Sequence, residues 1–382
     1  QPMVNINIFR IEGTFTHIQK DNNFITVLGF STFPGESIKN TISEIFNDFD
    51  ESKISELKKE LIGQFIIIIK KGNFIYIFGD IWQIRNIFYS KDFSIISSSF
   101  SAIEEELGTS SKDLDRNKIL EFIALKQFSY PGWLGNKTLY FKVKFLRPYE
   151  YIKIDSSNHH INISAIYFEI DNYKNKDINK LSIDLINCLK ASIQNPHYGN
   201  EMIGVTLTGG FDSRLVAAIS ANYFKKASFR IATMDNNRNS LKDAKIAKKI
   251  ANITKTTLKP FNSILNEDLF RKFYFLSEGL SPLENSVITP IIMKNGLFSL
   301  GLGGCFGTEH FKPIDKYSNI DGFIEKSIVK AKRKINTTQE KWEQLRYSIN
   351  EEFKEIEKYY KLTNPNDLDI IRIFLLLRTA FF

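Results

Sequence analysis

Two contrasting patterns predict a two-domain α/β chain. Over residues 3–170, apolar residues alternate with polar ones or run in short blocks, as strands do. From residue 203 onward, short apolar runs alternate with helical stretches, the signature of a parallel sheet with crossover helices. A length of 382 residues accommodates two domains of ordinary size. The division is placed at 1–172 and 173–382, with the boundary near Asp171 to Lys176.

Within the first domain, residues 3–9, 24–30, 65–71 and 74–78 read as strands. Lys71-Gly72-Asn73 joins the last two in a hairpin. Residues 41–61 are helical in character, and 93–99 form a further strand candidate. A helix over 113–128 is followed by Pro131-Gly132, which cannot continue it. Strands are expected around 138–143 and 149–154, and His159-His160 is a polar strand edge because no third metal ligand stands near. In the second domain, a helix over 174–194 precedes a strand at Val205, a helix over 213–223, a strand over 228–233 and a helix over 241–252. Residues 324–360 are charged and helical, and 370–382 are largely apolar. Both stretches are expected to pack on the second domain's sheet, since an exposed run such as Leu375-Leu376-Leu377 is costly in water.

Composition excludes several classes. Hydrophobic residues make up 43% and charged residues 25%, so the chain can bury a core and remain in water. No apolar stretch reaches membrane-spanning length, and no secretory signal is visible. Cys188 and Cys305 are far apart and form no metal-type cluster, so a reducing cytoplasm is expected. The net charge is +8, but the lysines are scattered among acids, as in Glu340-Lys341-Trp342-Glu343. Solvated helix faces account for that pattern, and no nucleic-acid or membrane partner is expected.

The chemistry-bearing stretch is Thr208-Gly209-Gly210-Phe211-Asp212-Ser213. It follows an apolar run ending Thr206-Leu207 and precedes Leu215-Val216-Ala217-Ala218-Ile219, so it reads as strand, glycine turn, helix. Such a turn directs backbone N–H groups outward, and the helix N-terminus adds partial positive charge. Glycines let the backbone approach closely, and the hydroxyls of Thr208 and Ser213 can donate, so the turn suits phosphate. Asp212 would repel phosphate unless a cation such as Mg²⁺ lay between them. The spacing fits neither G-x-x-x-x-G-K-[ST] nor G-x-G-x-x-G. An ordinary strand-to-helix turn explains the glycines but not the Asp and Ser that follow them.

The stretch resembles the S-G-G-x-D-S pyrophosphatase loop, with Thr208 in place of the first Ser. Other segments extend the likeness to the asparagine synthetase superfamily. Gly79-Asp80-Ile81-Trp82-Gln83-Ile84-Arg85-Asn86-Ile87-Phe88-Tyr89 is similar to that family's R-D-x-x-G-I-x-P-L-Y-Y, and Gly63-Gln64-Phe65 to its L-x-G-x-F strand. Thr138-Leu139-Tyr140 with Val143 to Pro148 resembles T-L-F-x-G-I-x-x-L-x-P. Asp243 followed by Ala247 and Ala251 resembles the helix after the ATP loop, and Thr289-Pro290 a pair in the substrate region. Gly303-Gly304-Cys305-Phe306-Gly307-Thr308-Glu309 resembles S-G-x-G-x-D-E.

The resemblance implies an N-terminal Ntn-hydrolase-like (glutaminase) β-sandwich flanked by helices and a parallel α/β PP-loop domain that binds adenine nucleotide. It implies ATP and Mg²⁺ as cofactors, Asp212 and Glu309 as catalytic acids, and Asp212 as the metal ligand. The nucleotide would be held by Thr206, Leu207, Thr208, Gly209, Gly210, Phe211, Asp212 and Ser213, by Ile231 and Asp243, and by Gly303 and Gly304. The backbone of residues 229–233 would carry the adenine edge. The reaction implied is activation of a small-molecule or peptide carboxylate as an acyl-adenylate, with pyrophosphate released, followed by attack of an amine. A second copy or another protein is left open as a partner.

Three departures from the family pattern qualify this. Glutamine hydrolysis there uses an N-terminal Cys; Val4 follows Met3 here, and no Cys precedes Cys188, so the glutaminase is expected to be inactive. Such members include β-lactam synthetases and lasso-peptide cyclases. Thr308 replaces an acid that would assist Asp212 with Mg²⁺. The family's synthetase domain runs further past the Glu309 loop, so the chain is expected to be incomplete at its C-terminus. A glutamine-hydrolysing asparagine synthetase and a non-catalytic nucleotide- or partner-binding protein are the alternatives.

Overall fold

Residues 62–71 bury apolar side chains on both faces, which requires a layer on each side of the strand. The computed structural model supplies both layers. It describes residues 5–7, 15–33, 36–126, 134–170, 177–193, 202–207, 210–224, 229–234, 238–261, 267–268, 300–302, 319–362 and 366–379. The chain divides into two units: Gln1–Asn175 with Ile314–Phe382, and Lys176–Pro313.

The first unit begins with β1 (Asn5–Asn7), β2 (Phe15–Lys20) and β3 (Asn23–Thr32). Helix α1 (Ile38–Asp48) is capped by Ser37, whose hydroxyl accepts from Asn40 N, and α2 (Ile54–Glu60) follows a 3₁₀ turn. Strands β4 (Ile62–Lys71) and β5 (Phe74–Gly79) form a hairpin. Its two-residue turn places Gly72 at φ +58°, where a side chain would be strained. Next come β6 (Phe88–Ser90), β7 (Ile95–Ser97), α3 (Phe100–Glu106) and α4 (Arg116–Lys126). Strands β8 (Val143–Phe145), β9 (Glu150–Asp155), β10 (His160–Ala165) and β11 (Phe168–Ile170) complete this segment.

Six strands form an antiparallel sheet in the order β10-β9-β5-β4-β3-β2, and four form a second sheet in the order β1-β7-β6-β8. Period-two alternation sorts the side chains between two cores. Leu28, Ile66, Ile68, Ile77, Ile152 and Ile154 meet Ile87, Tyr89, Ile96 and Leu146, so the sheets pack face to face. Ile25, Val27, Phe65, Ile67, Ile69 and Phe78 face the other way, onto Ile38, Ile42 and Ile45 of α1 and Ile54 and Leu57 of α2. On the outer face of the smaller sheet, Phe100 of α3 packs on Phe88 with ring centroids 5.2 Å apart. The first unit is a sandwich of two sheets with helices on both outer faces.

The turn after β5 is built on a buried carboxylate. Asp80 is 2% exposed and accepts from the N–H groups of Trp82 (3.0 Å) and Ile84 (3.2 Å). Within this turn Gln83 holds φ +54°, where the resembled family pattern has glycine.

The second unit contains α5 (Ile178–Ile193), β12 (Ile203–Thr206), α6 (Phe211–Tyr223), β13 (Phe229–Met234), α7 (Arg238–Thr254), β14 (Thr257–Phe261) and β15 (Leu300–Leu302). Its four described strands are all parallel, in the order β14-β13-β12-β15. Ile203, Val205, Leu207, Ala217, Ile231, Ala247 and Ala251 form its core, the alanines letting α6 and α7 lie close to the sheet.

The chain then returns to the first unit, which corrects the expected packing. Helices α8 (Ile320–Lys332) and α9 (Gln339–Tyr359), strand β16 (Tyr360–Leu362) and helix α10 (Asp367–Thr379) are not part of the α/β unit. Phe323, Ile324, Trp342, Leu345, Ile349, Phe353, Ile371 and Phe374 join the core on the helical face of the six-stranded sheet. Strand β16 pairs in parallel with β11, Phe168 opposite Tyr360. Arg147 pairs with Glu355 at 3.0 Å, and the Tyr149 and Tyr359 rings stack 4.2 Å apart. The physical reason is apolar area: α1 and α2 do not by themselves make up the apolar layer on that face, and the stripe at 342, 345, 349, 353 and 356 on α9 completes it. The units therefore differ from the expected 1–172 and 173–382.

Candidate functional site

Among the described strands, the parallel sheet has one point where its order reverses. From β12 the chain steps to β13 and then β14 on one side, whereas β15 joins on the other. In open α/β sheets, ligands bind outside the carboxyl ends of the strands at such a reversal. The two strands that precede the glycine-rich stretches in sequence, β12 and β15, are neighbours there. Val205 lies opposite Leu302 across the β12–β15 ladder. Leu207 then leads into Thr208 and Gly209, and Leu302 leads into Gly303 and Gly304.

The end of β12 is tightly held. Leu207 is buried, its N–H donates to Ala232 O at 2.8 Å, and its carbonyl accepts from Thr233 Oγ1 at 3.3 Å. Thr233, 1% exposed, thus fixes the strand just before the turn. Thr206 is half-buried at the last strand position. Gly210 is the N-cap of α6 with extended backbone, and a glycine brings no side-chain oxygen to the first-turn N–H groups. Phe211, Asp212 and Ser213 form the first turn. Asp212 is half-buried at the positive end of the helix, where a carboxylate is favoured. Ser213 is buried, and its Oγ lies 3.5 Å from Gly210 O. Arg214 was not singled out from the sequence; its Nε donates to Gly210 O at 3.0 Å.

Asp243 lies on α7, half-buried, on the stripe that continues through the core residues Ala247 and Ala251. The helix follows β13 directly, so its N-terminal half lies toward the carboxyl edge of the sheet. Ile231 does not fit its expected role. It is fully buried, and β13 is paired on both sides there, with Val205 and Leu258. Its backbone serves the ladder and its side chain the core. On the β12 side, the ladder ends at Ala232, so Thr233 and Met234 run past the neighbouring strand. Thr208, Gly209, Gly303, Gly304, Thr308 and Glu309 lie outside the described residues.

Among the described residues, no group of three or more His, Cys, Asp or Glu is placed to hold a metal. No helix among them is long and apolar enough to cross a membrane. A groove of about 380 Å³ is lined by Ile186, Lys190, Ala218, Ile219, Asn222 and Tyr223. It lies between α5 and the later turns of α6, away from Gly210.

The strongly displaced titrating groups belong to the first unit. Lys58 on α2 is 0% exposed; burial pushes its ammonium down to about 7, against the pull of Asp80 and Glu150. Its Nζ donates to Pro148 O at 2.6 Å. Burial pushes Asp80 up, opposed by the N–H groups of Ile84 and Trp82 and by Lys58. Neither group reaches solvent, and each is bonded to backbone, Lys58 to carbonyls and Asp80 to N–H groups, so both are structural.

No family model matches the chain, and no curated protein matches it. Among solved structures, the NH3-dependent NAD synthetase from Campylobacter jejuni subsp. jejuni NCTC 11168 in complex with the nitrate ion aligns at 14% identity. The alignment covers 46% of this chain and 94% of that one, with a TM-score of 0.24. A superposition that loose assigns neither a fold nor a site. The functional reading therefore rests on the residues and the strand order described above.

Proposed function

We propose that the chain is an ATP-dependent ligase that forms an amide bond through an acyl-adenylate. The observation that carries this reading is the β12–turn–α6 unit at the sheet's reversal point, with Gly210 as N-cap and Asp212 and Ser213 in the first turn. The first unit is read as a degenerate Ntn-hydrolase-like sandwich, and the second as a PP-loop domain. A cytoplasmic location belongs to the same proposal.

The first-turn N–H groups and the Ser213 hydroxyl orient the trailing phosphates of ATP. Mg²⁺ in such sites is commonly held by one or two carboxylates together with substrate phosphates, so Asp212 fits a metal that arrives with its nucleotide. The metal would supply charge neutralisation for the departing pyrophosphate. A carboxylate oxygen of the acyl substrate attacks the α-phosphorus; that C–O–P link forms as the α–β phosphoanhydride breaks. The amine's lone pair then attacks the acyl carbon, the bond to AMP breaks, and the amine gives up a proton. Glu309 is assigned to this amide-forming side. Asp243 and the strand end at Thr233 are assigned to the nucleotide side.

Chromatography of the nucleotide products tests the reading: AMP and pyrophosphate are expected, whereas ADP and orthophosphate would sink it. Replacing Asp212 with Ala is expected to weaken Mg²⁺–ATP binding by about 1–3 kcal/mol, the scale of a lost charge-assisted contact. Equal affinities by calorimetry would remove Asp212 from the site.

A further inference from the structure

We propose that Lys91, Lys137 and Lys144 of the first unit form a binding site for a small phosphate-bearing polyanion. The site is independent of the ATP reading, because all three residues belong to the sandwich.

Strand β8 is an edge of the four-stranded sheet, with β6 as its neighbour. Its central residue, Lys144, is opposite Tyr89 of β6. On the other side Lys144 forms an isolated antiparallel bridge with Lys137, and Phe145 N donates to Asn136 O at 2.9 Å. Residues directly opposite each other project from the same face, so two ammonium-bearing side chains stand side by side. Lys91 follows β6 directly, and its N–H donates to Lys142 O at 2.8 Å.

Like charges directly opposite one another oppose strand pairing. The neighbouring Lys142 is paired with Asp113 at 2.8 Å, and Lys118 with Glu121. Among the described residues, Lys91, Lys137 and Lys144 make no such ion pair. Asp115 is the acid whose charge acts on Lys144, but it is engaged at the start of α4, accepting from Asn117 N at 3.0 Å and Lys118 N at 3.2 Å. Burial, then the charges of Lys137 and Lys91, hold the Lys144 ammonium below its ordinary value, with Asp115 pulling the other way and Lys118 adding to the push. Lys144 is half-buried, which limits its freedom to swing clear. An anion seated among the three ammoniums turns their repulsion into attraction. Lysine binds phosphate as a compact point charge, and three of them match a group carrying several negative charges.

The test is acylation of lysines in the full chain by an amine-reactive reagent. It is read residue by residue by mass spectrometry while inorganic triphosphate is titrated in EDTA. Triphosphate is expected to slow modification of Lys91, Lys137 and Lys144 but not of Lys39, an exposed lysine on α1. In Lys137→Gln/Lys144→Gln, the concentration that half-protects Lys91 should rise about tenfold or more, the scale of a lost charge-assisted contact. Lys137→Gln alone serves as a second variant, since Lys137 is exposed and its loss leaves the core untouched; it should show part of the rise. Each lysine is read separately, so triphosphate bound at the Gly210 turn does not enter the result. Half-protection of Lys91 at the same concentration in wild type and both variants would overturn the proposal. So would equal slowing at Lys39, or equal protection by sodium chloride at matched ionic strength, either of which means screening only.

Discussion

Lys58 offers a test of how the first unit is built. The substitution is Lys58→Met, which keeps about the length of the aliphatic stem and removes the amine. In the folded chain the group titrates near 7, against an ordinary value of 10.5. Between these values the unfolded chain holds a proton that the folded chain has released. The slope of stability with pH follows the difference in bound protons, so stability rises with pH across this window by about 1.4 kcal/mol per unit for one group. From pH 7.5 to 9.5 that is a gain of about 2–3 kcal/mol in wild type, absent from the methionine variant. Asp80 acts in the opposite sense: its carboxyl is pushed up, so stability falls as pH rises from its ordinary value through its folded one. An Asp80→Asn background isolates the lysine. The assay is urea unfolding followed by tryptophan fluorescence. Trp82, Trp133 and Trp342 all fall within the residue ranges of the first unit, so the signal reports that unit alone. If the lysine and methionine proteins, both carrying Asp80→Asn, gave parallel curves of stability against pH, the reasoning would be refuted.

Two further outcomes are expected. Phe353 of α9 is buried, with its ring 4.7 Å from Phe374 and 5.8 Å from Phe323. Truncation to Ala should cost about 3–5 kcal/mol, as large buried aromatic deletions do. Hydrogen exchange should show the loss in β3, β4 and β5 but not in β12 and β13, whereas equal loss in both sets would mean that α9 does not belong to the first unit. Incubation with glutamine should release neither glutamate nor ammonia above a blank, because Cys188 and Cys305 both fall outside the residue ranges of the first unit; release by the unmodified protein would refute this.

Much of the architecture was legible where a local signal was also the structural cause. The β4–β5 hairpin is announced by Gly72 between two apolar runs, and the α/β unit by glycine turns and helix starts. Boundaries were harder to place. The expected helix over 41–61 is two helices, because Asp50 accepts from Ser52 N and begins a new cap. Residues 138–143 are mostly turn, and the strand begins only at Val143, with Thr138 Oγ1 donating to the Val143 carbonyl. The destination of α8 to α10 could not be read at all. An apolar stripe specifies that a helix is covered, not which sheet covers it, and two sheets were on offer. At the candidate site, Asp212 and Ser213 fall in the first turn of α6 as the motif required. Ile231 did not hold its assigned role, because strand order decides whether a strand's backbone is spoken for, and strand order is a long-range property. Thr233 and Arg214 carry no motif; what marks them out is the partner each finds at the turn.

The chain order of the first unit has a consequence during synthesis. The last helices that cover its larger sheet are encoded after the whole second unit. At about 5–20 residues per second, a ribosome needs roughly ten to forty seconds to go from the end of the first segment to Phe374. Throughout that interval the sheet's helical face lacks the cover that Phe323, Phe353 and Phe374 will provide. A nascent sheet in that condition is a substrate for holding chaperones and a template for sticking to its neighbours on a polysome. The α/β unit, continuous in sequence, can close as soon as it emerges. The unit that is first in sequence is therefore the last to be finished, and the yield of native protein should respond to elongation rate and chaperone supply more than to anything at the Gly210 turn.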